Sequence, residues 1–194
     1  MLAAAGFTFE VMPVDVDERV RPAERPDGYV RRLAGEKSLR ALELMERTLG
    51  PAGAALYILG ADTAVVIDGE ILGKPENEAE ARSMLRRLSG RRHEVLTGVS
   101  LRSYGRGSAG GAGPLGSLEV RCVETTAVFF APIGDAEIEW YVQSGEGLDK
   151  AGSYAIQGLA ARFIERIEGS YSNVVGLPVA AVHRLVTQMA EQSI

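Results

Sequence analysis

The spacing of apolar residues changes period several times along the chain, and only a fold that mixes helices with strands accommodates that. Between Asp27 and Leu49, Val30, Leu33, Ala34, Ala41 and Leu44 recur at the interval of a buried helix face. Leu56 to Leu59 and Ala64 to Ile67 are short apolar runs of strand type. Asp68-Gly69 is a tight-turn signal, and Glu70-Ile71-Leu72 returns as the partner strand. Helical spacing resumes from Asn77 to Leu88, with acids in the first turn, basic residues in the last and Gly90 beyond. Val95 to Leu101, Leu118 to Phe130 and Phe163 to Ile167 read as strands, and Ser170-Tyr171-Ser172-Asn173 reads as a polar turn after the last of them. Asp135 to Ser144, closed by Gly145, and Pro178 to Gln192 read as helices, the latter turning Val179, Val182, Leu185, Val186 and Met189 inward. Phe7 to Val16 alternates loosely and is expected to add a strand, while Pro22 and Pro26 make the following stretch a loop. Gly50-Pro51 stops the first long helix, and Gly6 closes a short helix tail at Met1–Ala5. The expectation is an α/β fold with a mixed, twisted central sheet flanked by helices.

A chain of 194 residues forms one domain, or one domain with two lobes, and buries about 70% of the surface its unfolded form exposes. The 21 Lys and Arg against 26 Asp and Glu leave a net charge of −5. A surface of that sign argues against nucleic acid or anionic lipid as a partner. No apolar run approaches the ~18 residues of a membrane span. Cys122 is the single cysteine, which excludes internal disulfides and cysteine-based zinc sites and fits a cytoplasmic protein. His93 and His183 are too few for a histidine-rich metal site and have no triad-like neighbours.

Several residues are out of place for a purely structural role. Lys37 interrupts the apolar stripe of the first long helix, where an ammonium must snorkel, pair or face a cleft. Asp62 lies between two strand segments, where a carboxylate is paired, protonated, bound to a metal, or bonded to local turn amides. Lys74, in Leu72-Gly73-Lys74-Pro75, is either a solvated loop lysine or a phosphate contact. Asp15, Asp17 and Glu18 form an acidic cluster of the kind that holds a hard divalent cation, though acidic loops are common. Gln157 in Ile156-Gln157-Gly158 has the donor and acceptor that reading a base edge requires. Gly105-Arg106-Gly107-Ser108-Ala109-Gly110 matches a dinucleotide pattern, but no helix follows it. Residues 103–117 therefore read as a flexible glycine-rich hairpin loop rather than as a dehydrogenase site. Lysines and isolated carboxylates near strand ends suit metal-assisted phosphoryl chemistry better than acyl transfer.

These motifs, in order, resemble the Maf-like nucleoside triphosphate pyrophosphatases, which are related in fold to the inosine triphosphatases. The likeness is carried by Val14–Glu18, Leu33-Ala34-Gly35-Glu36-Lys37, Gly60-Ala61-Asp62-Thr63-Ala64-Val65-Val66, Leu72–Pro75, Leu88–Gly90, His93–Gly98, Asp149–Gly158 and Glu168–Pro178, and spans nearly the whole chain. It implies a single domain of two lobes around a cleft that hydrolyses a nucleoside triphosphate to the monophosphate and pyrophosphate. It implies Asp62 as proton acceptor, Lys37 and Lys74 as triphosphate-binding lysines, and Glu18 as the acid near the metal. Asp62 and Glu18 would share a divalent cation, Mg²⁺ or Mn²⁺. Thr63 and Gln157 match positions tied to base choice, and Ala61-Asp62-Thr63 with Ile156-Gln157-Gly158 is similar to the dTTP/UTP branch. The implied partner is a nucleoside triphosphate, with a homodimer left open. The family pattern also opens with a strand and a Ser-x-Ser-Pro-Arg-Arg phosphate loop. Met1-Leu2 aligns with the helix after that loop, so the expectation is an N-terminally truncated domain that holds triphosphate more weakly. A nucleotide-binding or regulatory protein with little or no turnover is the alternative.

Overall fold

The computed structural model describes residues 1–49, 56–104 and 118–192. The first long helix, α1, spans Pro26–Leu49 and starts one residue before the expected Asp27. Proline suits that first position, since its missing N–H has no intrahelical partner to lose. Asp27 then sits in the first turn, where the helix dipole favours a negative charge. The strand β1 (Leu56–Ile67) and the short β2 (Glu70–Leu72) form a hairpin, with Ile67 opposite Glu70. Asp68 and Gly69 carry φ of 55° and 78°, the two positive values that a two-residue turn matched to strand twist demands. In α2 (Glu78–Leu88), Asn77 accepts the Glu80 N–H at 3.0 Å, and Ala81, Met84, Leu85 and Leu88 face inward.

Two longer strands, β3 (Arg92–Tyr104) and β4 (Glu119–Phe130), follow, and the Ser103 N–H donates to the Leu118 carbonyl at 3.1 Å. The helix α3 (Asp135–Gln143), the strand β5 (Ile164–Glu168), a short α4 (Tyr171–Val175) and α5 (Val179–Glu191) complete the chain. The sheet order is β2-β1-β3-β4-β5, with β1/β2 and β4/β5 antiparallel. Near the N-terminus, Ala3–Ala5 is a single 3₁₀ turn closed by Gly6 at φ 83°, as its glycine predicts.

Three expectations differ from the structure. Phe7 to Val16 forms no strand. Alternation alone makes a strand only where a ladder partner accepts its backbone, and here Phe9, Val11 and Met12 remain exposed. The second apolar run does continue the first, but Gly60, Ala61, Asp62 and Thr63 between them belong to the strand instead of interrupting it. The polar turn at Ser170–Asn173 opens α4, with Ser170 Oγ accepting the Asn173 N–H at 3.3 Å. The Gly50-Pro51 stop and most of the glycine-rich 103–117 loop lie outside the described residues.

The chain divides into two compact units. Unit 1 comprises residues 1–62, 98–123 and 179–194, and unit 2 comprises 63–97 and 124–178. In unit 1, α1 buries Val30, Leu33 and Ala34 completely, and α5 buries Ala181, Val182, Leu185 and Met189. In unit 2, α2 and α3 pack over the apolar cluster that includes Val65, Leu85, Val128, Phe130, Ile138 and Tyr141. Each fully buried side chain of this size contributes about 1.5–3 kcal/mol. His93 is buried there too, its ring edge-on to Phe130 and Tyr154 and its Nε2 2.8 Å from Tyr154 Oη. Among the described residues no helix is long and apolar enough to cross a membrane.

Candidate functional site

Unit 1 brings three of the residues singled out in the sequence to one point. Lys37 lies on α1, one helical turn after Leu33 and Ala34, so its stem shares their buried face. Its Nζ donates to Asp62 Oδ1 at 2.7 Å and to Glu18 Oε1 at 2.8 Å. The Asp62 side chain is 11% exposed and that of Glu18 52%, so one carboxylate is fixed by packing and the other reaches in from the surface. Burial pushes the Lys37 pKa down, but hydrogen bonds and charge from Asp62 and Glu18 together outweigh it and hold the pKa above the ordinary lysine value. The group is an ammonium at physiological pH, with two carboxylates focused on it.

The approach of α1 to the strands depends on two glycines. A Cβ on Gly60 would lie 2.3 Å from the Ala34 carbonyl oxygen, and one on Gly98 would lie 2.1 Å from that of Val30. Any side chain at either position would push α1 outward. Gly60 is two residues before Asp62 on β1 and therefore on the same face, so the missing side chain lets Lys37 come within reach of Asp62. One residue beyond Lys37, buried Ser38 accepts from Arg102 Nε at 2.9 Å, and its Oγ lies 2.7 Å from Ser100 Oγ. Arg102 in turn pairs with Glu119 at 2.9 Å, tying α1 to β3 and β4 through a largely buried polar network.

Unit 2 carries Thr63, Lys74 and Gln157. Thr63 Oγ1 donates to the Gly176 carbonyl at 3.1 Å and lies 2.8 Å from Thr97 Oγ1. Lys74 and Gln157 are exposed. The Gly152 N–H donates to the Gly73 carbonyl at 3.0 Å, anchoring the 150–158 loop beside Lys74. Gly152, at φ 67°, sits so close to Val65 that a Cβ there would come within 2.8 Å of its side chain. Glu146 accepts from the Leu159 N–H at 2.8 Å and from Tyr141 Oη at 2.9 Å, which fixes the turn just after Gln157. The structure thus gathers Glu18, Lys37 and Asp62 in unit 1 and sets Thr63, Lys74 and Gln157 in unit 2.

The sequence reading overlooked the groups that surround Glu18. Arg32 makes a two-pronged pair with Glu24, and Tyr29 Oη donates to the Glu18 carbonyl at 3.0 Å. The one available signal was the spacing of Arg32 and Glu36, four apart on a helix, which do pair at 3.2 Å. Among the described residues no cluster of three or more His, Cys, Asp or Glu side chains is placed to hold a metal. Glu18 and Asp62 nevertheless form a pair of hard oxygen donors converging on one cationic group.

The sequence profile of the Maf-like proteins matches residues 1–189. A protein of Anaeromyxobacter dehalogenans (strain 2CP-1 / ATCC BAA-258) named dTTP/UTP pyrophosphatase is 50% identical over 186 residues, which are 96% of this chain and 86% of that one. Proteins of the same name from Shewanella sp. (strain MR-7) and Symbiobacterium thermophilum are 46% and 44% identical, covering 96% and 97% of this chain and 88% and 87% of theirs. The chain belongs to the Maf-like family.

Proposed function

We propose that this protein is a nucleoside triphosphate pyrophosphatase that hydrolyses dTTP and UTP to the monophosphate and pyrophosphate. The names of its relatives support the substrate class. The observation that carries the chemistry is the Lys37 ammonium held by both Asp62 and Glu18.

In this reading Asp62 is the general base, accepting a proton from the water that attacks the α-phosphorus. Lys37 orients the Asp62 carboxylate and supplies positive charge against the phosphoryl oxygens, and Lys74 adds a second charge toward the triphosphate. Gln157 pairs with the carbonyl-and-N3–H edge that uracil and thymine share, which accounts for the acceptance of both bases. Thr63 acts beside it in base choice. Mg²⁺ or Mn²⁺ fits the hard carboxylate oxygens of Glu18 and Asp62, which would hold it together with substrate phosphate. When bound, such a cation supplies Lewis-acid neutralisation of phosphate charge.

Ion chromatography of products from a panel of triphosphates tests the reading. UTP and dTTP should be turned over fastest, each giving monophosphate and pyrophosphate in equal amounts. Release of orthophosphate from the γ-position would refute the assigned chemistry.

A further inference from the structure

We propose that Tyr29 and Arg32 are positioning residues, which clamp the backbone on both sides of Glu18 and so hold its carboxylate on Lys37. The kinetic consequence rests on the pyrophosphatase reading; the clamp itself does not.

The segment from Phe7 to Val20 has no sheet ladder to satisfy its backbone. Three consecutive carbonyls of its end are instead taken by side chains of α1. Arg32 Nη1 donates to the Asp17 carbonyl at 3.2 Å, Tyr29 Oη to that of Glu18 at 3.0 Å, and Arg32 Nη2 to that of Arg19 at 3.1 Å. The guanidinium is itself immobilised. Its Nε and Nη2 donate to Glu24 at 2.6 and 2.8 Å, and its Nη1 donates to Glu36 at 3.2 Å. All five N–H donors of Arg32 therefore have acceptors, a pattern that lysine, with a single point charge and no fork, cannot reproduce. Glu24 is fixed in turn by the Arg21 N–H at 3.0 Å. The Arg32 guanidinium beside it holds the Glu24 carboxyl down at a pKa of about 2, so the pair stays ionised across the physiological range.

Glu18 needs such support because its own side chain is half exposed and gains little from packing. Asp62 is held by a continuous strand, whereas Glu18 follows a segment with no regular structure. Tyr29 and Lys37 lie eight residues apart on one face of α1, so the helix that carries the ammonium also carries the clamp for the acid that meets it.

The test uses the intact chain and the variants Tyr29→Phe, Arg32→Lys and Glu18→Gln. Tyr29→Phe removes one O–H and keeps the ring, so it retains the fold if Arg32→Lys does not. With UTP, Tyr29→Phe should lower kcat about tenfold at nearly unchanged melting temperature, as expected for one lost hydrogen bond acting through a reacting group. In the Glu18→Gln background it should have no further effect, because both changes act through the same carboxylate. The second readout is the backbone order of Glu18, followed by ¹⁵N relaxation of the intact protein. Tyr29→Phe should lower the order parameter of the Glu18 N–H and leave that of Asp62, held in its strand, at the parent value. Additive losses of kcat, or a Glu18 order parameter that Tyr29→Phe leaves unmoved, would overturn the proposal and reduce the clamp to an anchor. If the parent protein turns over no triphosphate, the functional reading fails alone and the order of Glu18 still decides the clamp.

Discussion

Replacing Gly60 with alanine perturbs the candidate site without touching any of its side chains. The new Cβ would lie 2.3 Å from the Ala34 carbonyl oxygen, 2.7 Å from the Ser38 nitrogen and 3.0 Å from Ser38 Cβ. Two of these atoms belong to the α1 backbone, which cannot rotate away as a side-chain tip would. The helix must therefore retreat by roughly 1 Å to restore ordinary contact distances. Lys37 is adjacent to Ser38, and its Nζ sits 2.7 Å from Asp62 Oδ1. The same retreat opens that contact to roughly 3.7 Å, beyond hydrogen-bonding range. Overpacking of this kind costs about 1–3 kcal/mol, and a misplacement of roughly 1 Å at a reacting group costs about 10²-fold in rate. Thermal unfolding should show a fall of roughly 2–12 °C, and kcat/KM with UTP should drop about a hundredfold. Gly28→Ala is the control, since its Cβ would meet nothing closer than Glu24 Cγ at 4.0 Å. On a helix it should be neutral or stabilising by about 0.5–1 kcal/mol. If Gly60→Ala matches the parent in both measurements, close approach of α1 to β1 is not what places Lys37.

Asp62→Asn should lower kcat with UTP by ~10²–10⁴ while the melting temperature stays close to that of the parent; near-parental kcat would remove Asp62 from the role of base. His93 gives a pH dependence of stability. Burial holds its pKa at about 4 in the folded chain, against 6.5 when unfolded, so the unfolded state takes up a proton first as pH falls. Stability should therefore decline from about pH 6.5 down to about pH 4, by about 3 kcal/mol in all, and then lose its dependence on this group. Urea unfolding across that range reads the effect, and a flat profile between pH 6.5 and 5 would show that His93 is not kept neutral by its burial. The Glu24 carboxyl titrates in the folded chain at about 2, so its support is present above the unfolded glutamate pKa and is lost only in stronger acid.

Elements whose signals are internal were legible in the residues themselves. Asn77 caps α2, Asp68-Gly69 turns β1 into β2, and Gly145 ends α3. Each depends on the conformational preference of one or two residues acting on their own neighbours. Phe7 to Val16 shows where that reasoning stops: its alternation is real, but a strand needs a partner, and partners are not local.

The same division runs through the candidate site. Lys37 in an apolar stripe and Asp62 in a strand are oddities that any reading of burial cost picks out. Their pairing was not legible, because they are 25 residues apart and meet only where α1 lies close over Gly60. Arg31 and Arg32 make the point most sharply. They are chemically identical neighbours, yet a turn of about 100° per residue leaves Arg31 exposed and brings Arg32 onto Glu24 and the backbone around Glu18. Residue chemistry determined which side chains were costly to leave uncompensated, since desolvation penalties belong to the group itself. Tertiary structure alone decided which partner compensates each one, because that depends on where a helix settles on a sheet to within an ångström.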